Sequence, residues 1–126
     1  MTISCKKKTP DFYTSIKIIN RTQNVIDSII ISAEGEPYIT KSSRMNINDT
    51  TPKFVYKNMS KEIEFIVYIK NNKYYGGSKM SSVIDISSGE LAKTIFSGCF
   101  NIYLLDLDTI KKTISSPYNR DINCDL

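Results

Sequence analysis

The chain of 126 residues contains no histidine. That absence removes His-based catalytic triads, Cys-His pairs and imidazole metal ligands. No Walker loop, GxGxxG or CxxC motif occurs either. Tryptophan is also missing. No apolar run approaches the ~20 residues of a spanning helix, because Val25 to Ile31 is interrupted by Asp27 and Ser28. The Lys6-Lys7-Lys8 run has no apolar segment behind it, so a signal peptide is not expected. The three cysteines, Cys5, Cys99 and Cys124, are odd in number and widely spaced, which reads as reduced thiols in a cytoplasmic chain. Asn20, Asn48 and Asn58 open Asn-x-Ser/Thr sequons, as expected by chance in a chain this rich in Asn, Ser and Thr.

What is present describes one soluble-type domain, with 40% hydrophobic and 24% charged residues. The clearest segment is Glu62 to Lys70. Ile63, Phe65, Val67 and Ile69 fall on one face at period two, and Glu62, Glu64, Ile66 and Tyr68 on the other, which predicts a half-buried strand. Similar short runs at Phe12–Ile19, Val25–Ser32, Tyr38–Thr40, Arg44–Ile47, Phe54–Tyr56, Met80–Ile86 and Cys99–Leu107 are separated by turn clusters such as Asn48-Asp49-Thr50-Thr51-Pro52. Leu91–Phe96 fits either a helical turn or a strand. Asp108 is placed to cap a short helix over Thr109–Ile114. The expected fold is all-β, a single antiparallel sandwich spanning residues 12–114, with a basic arm at 1–11 and a polar tail at 115–126.

The formal charge of +4 is unevenly placed, with an excess in residues 41–79. Such asymmetry favours an anionic partner, or serves solubility as a solvated face. Within it, Lys70, Lys73 and Lys79 flank Tyr74 and Tyr75 beside Asn71-Asn72 and Gly76-Gly77. A basic loop carrying tyrosines suits an anionic membrane interface. The competing expectation is that Tyr74 and Tyr75 simply begin the next strand. Lys53, Lys57 and Lys61 form a second basic surface if the backbone clusters them. No nucleic-acid-binding motif occurs, so a nucleic-acid partner is not expected.

The order of several short motifs resembles a C2 domain. Ser15-Ile16-Lys17-Ile18-Ile19 is similar to that family's opening strand, and Asn24-Val25-Ile26-Asp27 to its Asn-Leu and later Asp. Gly35-Glu36-Pro37-Tyr38-Ile39 is similar to Ser-Asp-Pro-Tyr-Val, and Asn48 to Phe54 to Asn-Thr-x-x-Pro-x-Trp, without the tryptophan. Phe65-Ile66-Val67-Tyr68 resembles the strand ending in Val-Tyr-Asp, and Gly77 to Ile86 the strand after the third loop. The resemblance covers about residues 12–105. It implies a membrane-docking sandwich. Calcium needs several carboxylate ligands, and the matching positions hold Glu36, Ile69, Asn71 and Gly77. No metal site and no cofactor are therefore expected.

Phe96-Ser97-Gly98-Cys99 also resembles the Leu-Ser-Gly-Cys of bacterial toxin deamidases, but the histidine that family needs is absent. A buried small residue is the stronger reading of Cys99, and no enzyme is expected. Two functions follow. The first is a non-catalytic module docking calcium-independently on anionic phospholipid through Lys70, Lys73, Tyr74, Tyr75 and Lys79, with peripheral membrane attachment. The second is a protein-interaction or scaffold domain with no membrane role. Oligomeric state is open.

Overall fold

A computed structural model describes residues 12–60, 62–79, 83–87, 92–96 and 98–121. Its strands are β1 (Tyr13–Asn20), β2 (Ser28–Ala33), β3 (Ile39–Ser42), β4 (Phe54–Lys57), β5 (Glu62–Ile69), β6 (Asn72–Lys79), β7 (Val83–Ser87), β8 (Ala92–Phe96), β9 (Gly98–Leu104), β10 (Leu107–Asp108), β11 (Thr113–Ile114) and β12 (Tyr118–Arg120). They form a four-stranded sheet, β12-β9-β1-β4, a six-stranded sheet, β10-β11-β6-β5-β2-β3, and a separate β7-β8 pair. The two larger sheets make the β-sandwich. Of the Leu91–Phe96 run, Ala92–Phe96 form a strand, β8, and Leu91 lies outside the described residues; Arg44–Ile47 reduces to one bridge between Ile26 and Met45.

The period-two pattern of β5 is realised residue by residue. Ile63, Phe65, Val67 and Ile69 are buried, while Glu62 and Glu64 are exposed. Ile29 and Ile31 of β2 lie beside Val67 and Phe65 in register, and Tyr74 of β6 beside Val67. Ile16, Ile18, Phe100, Ile102 and Leu104 come from the other sheet into the same core. Each such fully buried side chain contributes about 1.5–3 kcal/mol relative to exposure.

Three features differ from expectation. First, the sandwich is not purely antiparallel: β1 pairs parallel with β9, and β11 parallel with β6. Parallel neighbours need a long crossover, and four strands of the six-stranded sheet, β2, β3, β5 and β6, lie between β1 and β9 in sequence. Second, β12 lies in the stretch expected as a loose tail, where Tyr118 and Arg120 pair with Ile102 and Phe100. Third, Thr109–Ile114 is not a helix. Asp108 Oδ1 accepts from Ile110 N (3.0 Å) and Lys111 N (2.9 Å), so it caps a turn joining β10 to β11.

One end of the sandwich is tied by Asn20. Its buried amide donates to the carbonyls of Asn24 (2.8 Å), Met45 (3.3 Å) and Asn46 (3.2 Å), and its oxygen accepts from Thr22 N and Thr22 Oγ1. These bonds join the β1–β2 connection to the β3–β4 connection. At the other side, the Tyr56 hydroxyl on β4 donates to Thr40 Oγ1 on β3 (2.7 Å), linking the two sheets.

Burial raises the Tyr56 pKa above its ordinary 10.0, partly offset by the bond to Thr40. The folded state therefore holds this proton where the unfolded chain releases it. The contribution is intact below pH 10.0 and is lost as pH rises through the folded value. Denaturation at stepped alkaline pH should show a Tyr56→Phe variant losing less stability above pH 10.0 than the parent, against a loss of about 0.5–1.5 kcal/mol at neutral pH from the missing hydrogen bond.

Candidate functional site

The 70–79 segment is a tight turn followed by a strand. Ile69 pairs with Asn72, so only Lys70 and Asn71 lie between β5 and β6. Both have positive φ, 47° and 66°, as a two-residue type I′ hairpin requires. Lys70 N donates to Asp27 Oδ2 (3.0 Å), anchoring the turn to the start of β2.

This geometry disperses the expected membrane patch. Lys70 is exposed at the hairpin tip. Lys73 is exposed on the outer face of the six-stranded sheet, its Nζ 5.7 Å from the ring of its cross-strand partner Tyr68. Tyr74 points the opposite way and is buried in the core, because adjacent strand residues face opposite sides. Tyr75 is 53% exposed, on the same face as Lys73. Lys79 pairs with Glu62 at the far end of β6, roughly 25–30 Å along the strand from the tip at ~3.3 Å per residue. Tyr74 and Lys79 therefore do not belong with Lys70.

The second basic surface is also reduced. Lys53 is exposed just before β4, and Lys57 is half-buried at its end. Extended backbone separates them by roughly 13 Å, where a helix would have stacked them. The backbone of Lys57 is clasped to Glu36 by two hydrogen bonds. Lys61 lies outside the described residues.

What the fold brings to Lys70 is a segment that sequence reasoning assigned to a helix. β11 runs parallel beside β6, and Tyr75 N donates to the carbonyl of Lys112 (2.9 Å). Lys112 Nζ reaches Asn72 Oδ1 (3.3 Å), the residue following the hairpin turn, and lies 5.4 Å from the centre of the Tyr74 ring. The β10–β11 turn thus sits against the β5–β6 turn. At its tip Ile110 is 92% exposed, next to exposed Lys111. The pair of turns presents one projecting apolar side chain with Lys70, Lys73, Lys111 and Lys112, and Asp27 and Asp108 serve as backbone acceptors at their bases.

The backbone cost of this arrangement is specific. Among the described residues, five non-glycine positions have positive φ: Asn48, Asn58, Lys70, Asn71 and Lys112. Asparagine tolerates that conformation through local hydrogen bonding, whereas lysine has no such relief and costs about 1 kcal/mol or more there. Both lysines in this state lie in the two adjoining turns.

No family model matches this chain, and no curated protein does. Among solved structures it is similar to an NMR structure of a protein from Eubacterium rectale, at 12% identity and a TM-score of 0.51, covering 89% of this chain and 93% of that one. The likeness is one of fold alone.

Cys99 corrects a further expectation. It is disulfide-bonded, not a reduced thiol. The chain's other cysteines, Cys5 and Cys124, lie outside the described residues. Among the described residues, no group of three or more His, Cys, Asp or Glu side chains is placed to hold a metal ion.

Two outcomes check these placements. Tyr74→Ala should cost about 3–5 kcal/mol in urea unfolding, as a large core deletion, whereas Tyr75→Ala should stay within about 0.5 kcal/mol. Thiol titration of the unfolded, unreduced protein should detect fewer free thiols than the three in the sequence, and reduction should lower stability by about 2–4 kcal/mol.

Proposed function

We propose that this chain is a non-catalytic, C2-like binding module that docks calcium-independently on an anionic phospholipid surface through the paired β5–β6 and β10–β11 turns. The observation that carries the reading is that Lys70 and Lys112 occupy left-handed backbone positions in two adjoining turns. Backbone strain that a glycine or asparagine would relieve is retained where the side chain has a use. Ile110, 92% exposed in the β10–β11 turn, supplies an apolar side chain of the kind that enters a bilayer interface.

The energetics favour reversible attachment. Each lysine near an anionic leaflet contributes about 1 kcal/mol. Burying Ile110 adds about 1.5–3 kcal/mol, and Asp27 and Asp108 offset part of the sum. A net of about 4–5 kcal/mol corresponds to dissociation constants of about 0.2–1 mM, and the lysine share falls as salt rises. The calcium-independent part of the reading is supported by Ile69, which is in the core, and by Asn71 in the turn, which stand where the resembled family carries aspartates. The Cys99 disulfide supports an oxidising compartment in place of the cytoplasmic one expected from three reduced thiols. Among the described residues no helix is long and apolar enough to cross a membrane.

Vesicle co-sedimentation tests the proposal with phosphatidylserine-rich and neutral vesicles, each with calcium and with chelator. Binding should require the anionic lipid, ignore calcium and weaken with salt. Lys70→Gly should raise stability by about 0.5–1 kcal/mol while weakening vesicle binding about fivefold. Ile110→Ser should leave stability within about 0.5 kcal/mol and weaken binding at least as much. Equal binding to neutral vesicles, or unchanged binding by both variants, would sink the membrane reading and leave a protein-interaction domain.

A further inference from the structure

The end of the sandwich away from these turns carries a groove of opposite charge. It lies on the outer face of the six-stranded sheet, with a volume of about 400 Å³. Ser32 of β2 forms its floor. Tyr38 and Ile39, 65% and 69% exposed, stand on the β3 side, and Glu62 and Glu64 of β5 on the other. Glu34 and Ser60 close the end, where Ser60 N donates to the carbonyl of Glu34 (3.1 Å). Among the described residues, no lysine or arginine lines it.

The neighbouring strand extends this hollow. Glu64 pairs with Gly77, which offers no side chain across the sheet. A second depression, lined by Glu64, Ile66, Tyr75 and the Gly76-Gly77 pair, begins on that side. Glu64 therefore stands between two hollows that run across the strands, with Tyr38 beyond one and Tyr75 beyond the other.

We propose that this groove receives a lysine- or arginine-bearing segment of a partner protein. The reason is complementarity of both charge and shape. A Lys or Arg side chain has an apolar stem and a cationic head. The Tyr38–Ile39 side suits the stem, and the ring adds a cation–π contact. Glu34 and Glu64 suit the head through charge-assisted hydrogen bonds. Lys79 is the register partner of Glu62, so the weight falls on Glu34 and Glu64. This groove and Lys70 lie at opposite ends of β5, so a module attached by its turns would hold the groove away from the lipid. It would then act as an adaptor between an anionic surface and a basic protein.

The test is an NMR titration with acetyl-Arg-Ile-Arg-Ile-Arg-amide, with matched peptides carrying Glu or Ser in place of Arg. The Arg peptide should shift the amides of Glu34, Tyr38, Ile39 and Glu64 at sub-millimolar to millimolar concentration. The double variant Glu34→Lys/Glu64→Lys and, separately, Tyr38→Ala/Ile39→Ser should each weaken binding about tenfold or more with unchanged thermal unfolding. Three results would overturn it: no shifts at millimolar Arg peptide, equal binding of the Ser peptide, or a Tyr38→Ala/Ile39→Ser variant that binds like the parent, which marks diffuse attraction. Failure here is separable from failure of the membrane reading, because the groove variants should still co-sediment with anionic vesicles.

Discussion

The missing side chain at Gly76 is the constraint on which the placing of the two adjoining turns depends. A Cβ there would meet Ile114 Cγ2 at 2.8 Å and the Ile114 carbonyl at 3.1 Å. Only a glycine lets β11 lie this close to β6, with Ile114 buried against Phe65 and the core. That approach sets the position of everything outward of it. Lys112 reaches Asn72 and covers Tyr74, and Ile110 is carried to the neighbourhood of the β5–β6 turn. Without it, Lys70 and Lys73 would be the hairpin's own charges, with no second turn beside them.

The exposed side chains at the two ends of β5 differ in charge. Strand β5 begins with Glu62 and Glu64 beside the Tyr38–Ile39 hairpin and ends at Lys70. The connections at the lysine end are stiffened by the Asn20 hydrogen bonds and by the Asp27–Lys70 contact. Rigid turns suit weak charge-based docking, since little side-chain and backbone ordering then opposes binding. The end with the groove instead exposes aromatic and aliphatic surface on a short edge strand, β3, an arrangement suited to contact with another polypeptide.

Chemistry and architecture were legible in the sequence to different degrees. The absence of histidine, the strand pattern of β5 and the turn at Asn48–Pro52 needed no coordinates. Tyr74 and Tyr75 were ambiguous, because a basic aromatic loop and the first turn of a strand share the same residues. The hairpin register decided between them: with two turn residues, Tyr74 falls opposite Val67 in the core and Tyr75 opposite Ile66 outside. Asp108 was correctly a cap, but of a turn, since the same side-chain hydrogen bonds serve a helix start and an Asx-type turn. Ile110 in a presumed helix carried no signal at all.

The sequence by itself determined the class of the fold, because period-two burial and turn chemistry are local and survive any arrangement of the strands. It also determined that imidazole chemistry is unavailable, a matter of inventory. The tertiary structure alone decided which charges lie near one another. Lys70 and Lys112 are 42 residues apart and fall in adjoining turns through the parallel pairing of β11 with β6. Glu34 and Glu64 share a groove because β2 and β5 are antiparallel neighbours. Non-local pairing follows from how sheets close over a common core, and neither composition nor spacing along the chain encodes it in readable form.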